Sequence, residues 1–150
     1  SRSTMKAFHR RLITAALLVT MAVVGLRPAS ADEPIDVSGA IRIVAAFAEP
    51  APAGACTKVR FELINDSRDD LQIIGLQTDI ALLSRLRATV GAQQTVTLGS
   101  FGVPADETVD FARFRWFELC GLTRSLRQGE DFTAELRTVR WTTTLSIHVH

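Results

Sequence analysis

Lys58-Val59-Arg60-Phe61-Glu62-Leu63-Ile64-Asn65 alternates charged and apolar residues, and a period of two is the mark of a strand with one buried face. Val59, Phe61 and Leu63 are expected to point inward, and Lys58, Arg60 and Glu62 outward. Upstream, Ile41, Ile43, Ala45 and Phe47 alternate with Arg42, Val44 and Ala46 as an earlier strand, which Glu49-Pro50-Ala51-Pro52-Ala53-Gly54 ends. Downstream, Asn65-Asp66-Ser67-Arg68-Asp69-Asp70 is turn chemistry, because Asn and Asp side chains bond their own backbone and tolerate tight conformations. It predicts a hairpin leading into a strand over residues 71–78. Residues 80–87 read as a short helical turn or a strand, and Gly91-Ala92 as a turn into a strand over 94–98. Beyond the turn Pro104-Ala105-Asp106-Glu107, a strand over 108–111 loses its alternation at Ala112, so a bulge or short loop re-aims the run 114–119. Gly121 and Gly129 bracket a loop, and strands over 132–140 and 142–149 follow. Many short strands, frequent turns and little helix predict an all-β fold, an antiparallel β-sandwich or small barrel, formed by residues 32–150 as one domain.

The chain has 150 residues and 47% hydrophobic content, which suits a globular domain. Residues 1–31 are of a different kind, with Arg2, Lys6, Arg10, Arg11 and Arg27 but no acid. From Met5 they run through a basic stretch and an apolar run over 12–25 to Ala29-Ser30-Ala31, the small-x-small pattern of a secretory signal peptide cleaved after Ala31. That run is shorter than the roughly 18 apolar residues a membrane span needs. Residues 32–150 are therefore expected to be exported, without a stable membrane anchor. They carry 12 cations against 16 acids, the wrong balance for coating nucleic acid or an anionic membrane. The Arg and aromatic run 111–117 is accordingly read as a strand with outward arginines rather than a base-stacking platform. Residues 32–110 hold six cations and twelve acids, and residues 111–140 six and four, an asymmetry that could guide docking to an acidic partner or self-association, or else marks two ordinary solvated faces.

Residues 32–150 contain no Tyr, no phosphate-cradling Gly-rich loop and no His before His148, which removes most hydrolase and transferase mechanisms. An enzyme is not expected. The acidic pairs Asp69-Asp70, Asp106-Glu107 and Glu130-Asp131 lie beside turns and are read as strand ends. Export to an oxidising compartment makes Cys56 and Cys120 candidates for a disulfide, worth about 4 kcal/mol by loop entropy; left as thiols, they are buried groups or soft metal ligands. His148 and His150, two apart, share one strand face and with the terminal carboxylate could hold Cu²⁺ or Zn²⁺ weakly. With Leu145, Ile147 and Val149 facing the core, both histidines are otherwise expected on the solvated face of a frayed terminal strand.

A succession of landmarks spans residues 40–149: Pro52-Ala53-Gly54 before a strand ending in Asn65, Thr78-Asp79-Ile80-Ala81 leading into Ser84-Arg85-Leu86-Arg87, then Pro104-Ala105-x-x-Thr108-Val109-x-Phe111, Cys120-Gly121-Leu122, and Leu126-x-x-Gly129-Glu130-x-Phe132. In order and spacing it resembles the PCu(A)C family of periplasmic copper chaperones. The resemblance implies a cupredoxin-like antiparallel β-sandwich that carries copper(I) toward the dinuclear copper centre of a terminal oxidase, with a protein of oxidase copper-site assembly or another exported protein as partner. It also implies ligands in the order His-x(n)-Met-x(n)-His-x-Met, neutral and soft as copper(I) prefers. The corresponding positions here are Arg87, Thr95, Trp116 and Glu118, and residues 32–150 contain no Met. A guanidinium cannot deprotonate in a protein and repels a cation. The expectation is thus a copper chaperone frame with a degenerate site, any retained metal running through Cys56, Cys120, His148 or His150. The alternative is a metal-free β-sandwich that contacts a protein partner through the surface around Arg87, Arg115 and Trp116.

Overall fold

Alternating side chains let one face of a strand bury while the other meets water, and the described residues form eleven strands. The computed structural model describes residues 35–36 and 40–150; the expected signal peptide, residues 1–31, lies outside the described residues. The strands are β1 (Ile35–Asp36), β2 (Ile41–Ala48), β3 (Thr57–Asn65), β4 (Leu71–Gln77), β5 (Ala81–Val90), β6 (Gln94–Leu98), β7 (Phe101–Val103), β8 (Glu107–Phe111), β9 (Arg115–Leu122), β10 (Asp131–Thr138) and β11 (Thr142–Val149). They pair in the order β6-β5-β9-β3-β2-β11-β10-β4-β7, with β1 added to β2 and β8 to β3. The path folds over one core, giving a barrel-like sandwich whose limbs are β6-β5-β9-β3-β2 and β11-β10-β4-β7.

The core follows the alternation. Val59, Phe61 and Leu63 of β3 and Leu145, Ile147 and Val149 of β11 are all buried, as expected. Phe61, Phe111 and Phe117 stack at its centre, with ring centroids 4.8 to 6.0 Å apart. The lapse of alternation at Ala112 makes this possible. It is a short break that lets β8 lie along Phe61–Asn65 while β9 continues along Thr57–Val59, so one strand receives two successive partners on the same side.

Four details depart from the sequence expectations. The Asn65–Asp70 turn makes no hairpin: β3 pairs with β2, β8 and β9, and β4 with β10 and β7, so the turn carries the chain from one limb to the other. Asn65 holds this corner. Fully buried, it donates through Nδ2 to the carbonyls of Asp69, Val103 and Pro104 at 3.0 to 3.2 Å and accepts from Ser67 through Oδ1, so its polar atoms are satisfied away from water. Second, Ala45 takes a positive φ of 54° and the β2–β3 register shifts between Val44 and Phe47. This bulge reverses the phase: Ala46 and Ala48 are buried while Phe47 turns outward. Third, the sheet is not wholly antiparallel, because β11 runs parallel to β2 at His148↔Phe47 and Val149↔Ala48. Fourth, the last strand is not frayed. It lies between β10 and β2, with the His150 amide donating to Ala48 and the Val149 amide to Glu130. Of residues 80–87, left between helical turn and strand, Ile80 lies in a turn and 81–87 belong to β5, and β7 was not foreseen.

Candidate metal site

The outer face of β5, β9 and β3 carries the candidate donors because the three strands share a register. Leu83 pairs with Cys120, Arg85 with Glu118 and Arg87 with Trp116 across β5–β9. Lys58 pairs with Glu118 across β3–β9. Alternate residues share a face, so Arg87, Trp116, Glu118 and Cys120 form a ladder on one surface. Thr97 lies opposite Arg87 and Thr95 opposite Thr89 across β5–β6, placing Thr95 on that surface too.

None of the positions that the resemblance assigns to copper presents a free soft donor. The Arg87 guanidinium donates to Thr97 Oγ1 at 2.5 Å. Trp116 lies beneath Lys58, whose Nζ is 4.5 Å from the ring centroid, a cation–π arrangement that itself holds a positive charge over the surface. Glu118 accepts from Arg85 Nη2 at 2.5 Å in a part-buried ion pair.

Cys56 and Cys120 are joined as a disulfide, which among the alternatives open from the sequence is the one realised. The local backbone dictates it. The Gly54 amide donates to the Leu122 carbonyl and the Leu122 amide to the Ala55 carbonyl, extending the β3–β9 ladder past Thr57↔Leu119 and setting the two cysteines opposite each other. Gly121 lets β9 continue past the bond. Its φ is +64°, and a Cβ there would stand 3.1 Å from that of Leu82. The ligand atoms of Cys56, Glu118 and Cys120 all lie within 4.8 Å of one another, and Arg85 Nη2 is 3.8 Å from Cys120 Sγ. While bonded, the sulfurs are not thiolates and offer no strong metal ligand.

The other expected donors lie on a separate part of the sheet. His148 and His150 do share a face, their ring centroids 6.5 Å apart, and both rings pack on Phe47 at 6.1 and 5.7 Å. His148 Nδ1 is 2.7 Å from Asp131 Oδ1, leaving Nε2 as its other donor atom. Neither histidine joins the cysteines. Sequence reasoning missed Arg85, Asp131 and Phe47. Period-two alternation through β5 would have placed Arg85 beside Arg87, and the β10–β11 register, which pairs Asp131 with His148, would have found the carboxylate. Of the acidic pairs, Asp69-Asp70 ties the turn before β4 to its neighbours: the Ala105 amide donates to Asp70, and Arg140 reaches Asp69.

No family model matches the sequence, and no curated protein matches it. Solved structures do. The copper-bound PCuAC domain from PmoF2 superposes with a TM-score of 0.68 at 14% identity, covering 79% of this chain and 97% of that domain. The apo PCuAC domain from PmoF1 gives 0.64 at 10% identity, covering 79% and 98%. The solution structure of apo-DR1885 from Deinococcus radiodurans gives 0.55 at 21% identity, covering 83% and 87%. At these identities the likeness concerns the path of the backbone and not the side chains upon it, and on that ground the chain has a PCuAC-type fold.

Proposed function

We propose that the chain is an exported, periplasmic accessory in copper handling, of PCuAC type but with a degenerate copper face, acting in the assembly of a terminal oxidase. The observation that carries this reading is the superposition with a copper-bound PCuAC domain over almost its whole length. The disulfide supports the compartment, since such bonds persist where the surroundings are oxidising. Degeneracy is supported by the chemistry at Arg87, Thr95, Trp116 and Glu118: a fixed cation, a hydroxyl, an indole and a carboxylate engaged by Arg85. Copper(I) selects thioether, thiolate or imidazole over all four. The role is binding rather than catalysis.

The test is made in the source cells. Removing the chain is expected to lower terminal oxidase activity when copper is scarce, and added copper to restore it. Unchanged activity at limiting copper overturns the reading. A second reading, a metal-free module that docks to a protein, is favoured by one observation. The exposed Phe114 sits 5.4 Å from the Arg113 guanidinium, and Arg115 lies 4.9 Å over Phe101. Such Arg and aromatic surfaces are enriched where proteins meet. Copper-independent capture of a defined partner, lost on Phe114→Ala, would favour it.

A further inference from the structure

We propose that the Cys56–Cys120 disulfide is a lock on a copper(I) site, opened by an exported dithiol reductant. The inference rests on the copper-handling reading above and names the ligands that would serve it. Three features of the corner support it. The sulfurs face each other across neighbouring strands whose partners on both sides are fixed by the sheet, so reduction frees two thiolates already side by side. Two thiolates suffice for linear copper(I), and their softness suits that ion better than the imidazoles of β11. The Arg85 guanidinium, 3.8 Å from Cys120 Sγ, is placed to donate to a Cys120 thiolate while it stays paired with Glu118.

The same geometry gives the exchange a direction. Cys56 is exposed, so a partner thiolate attacks its Sγ, forming a mixed disulfide and releasing Cys120 as a thiolate beside Arg85. The partner's second thiol then attacks that mixed bond, releasing the Cys56 thiolate and closing the partner's own disulfide. Two electrons pass to the chain, and the partner is oxidised by two. Copper(I) binding displaces whatever protons the two sulfurs have taken up. Glu118 positions Arg85 through their 2.5 Å contact and is not needed as a ligand. With zinc its carboxylate would matter more, because that ion accepts a mixed sulfur and oxygen set.

The test uses the chain reduced by a phosphine, desalted without oxygen, and titrated with copper(I) against a competing chelator, beside the oxidised chain. One copper(I) per reduced chain and none per oxidised chain is expected, with loss in both Cys56→Ser and Cys120→Ser and retention in Glu118→Gln. Arg85→Met is expected to slow reduction by a small dithiol about tenfold while leaving the β-sheet circular dichroism unchanged. Equal binding by the oxidised chain, binding that survives both serine variants, or no binding by a reduced chain that retains its circular dichroism overturns the proposal. The cellular test separates the two claims. If the double serine variant fully restores oxidase activity to cells lacking the chain, copper handling stands and the lock fails. If the reduced chain binds copper while those cells show no defect, the site stands and the oxidase role fails.

Discussion

Two seams of the same sheet hold potential metal donors, and they are closed in different ways. The β3–β9 seam is antiparallel, sits over the Phe61–Phe111–Phe117 stack, and is stapled by Cys56–Cys120 with the Arg85–Glu118 pair beside it. The β2–β11 seam is parallel over two register pairs and is dressed by Phe47, His148 and His150. One offers sulfur and is shut by a covalent bond. The other offers imidazole and is shut by nothing stronger than a hydrogen bond to Asp131. Donor chemistry then assigns different ions: the sulfur seam suits copper(I), and the imidazole seam a harder divalent ion held weakly.

The contrast can be broken most forcefully in the core beneath each seam. Phe117→Ala, at a fully buried position under β3–β9, is expected to lower unfolding free energy by about 3–5 kcal/mol in urea denaturation. Phe47→Ala on the outer face of β2 should cost far less, about 1 kcal/mol. Similar losses at the two positions would mean that the bulge at Ala45 does not turn Phe47 outward. Next in size is the staple: replacing both cysteines by serine is expected to cost about 2–4 kcal/mol, from the same denaturation curves. A loss near zero would mean that the seam is held without the bond and that reduction changes chemistry alone. The smallest effect is expected at the imidazole seam. Asp131→Asn should change stability by less than about 1 kcal/mol, because its bond to His148 involves an exposed carboxylate. A larger loss would mark that end as structural, and tight divalent binding abolished by His148→Ala would mark it as the metal site instead.

Much of the fold was legible because alternation is a local signal. Val59, Phe61 and Leu63 are inward as read, and so are Leu145, Ile147 and Val149. Cys56 and Cys120 were legible as a pair only through the compartment, since their facing positions depend on backbone bonds of Gly54 and Ala55 to Leu122 that no spacing rule reveals. The Ala45 bulge was hidden because alanine rarely takes a positive φ, and nothing in the residue type announces it. The limb change after Asn65 was hidden for another reason. Turn residues fix the local bend and say nothing of which strand receives the chain next, which tertiary bonds from Asn65 to Val103 and Pro104 decide. In the candidate site, Arg87 and Trp116 were picked out and do pair across β5–β9. Arg85 was passed over because its significance lies in a strand neighbour 35 positions away, Cys120.

X-ray absorption at the copper edge of the reduced, copper-loaded chain tests the central claim directly, since it reads the atoms bound to the metal. Two sulfur neighbours and no nitrogen shell are predicted, with the signal lost on reoxidation. A first shell of nitrogen or oxygen, from His148 and His150 or from the Glu118 ladder, would contradict it.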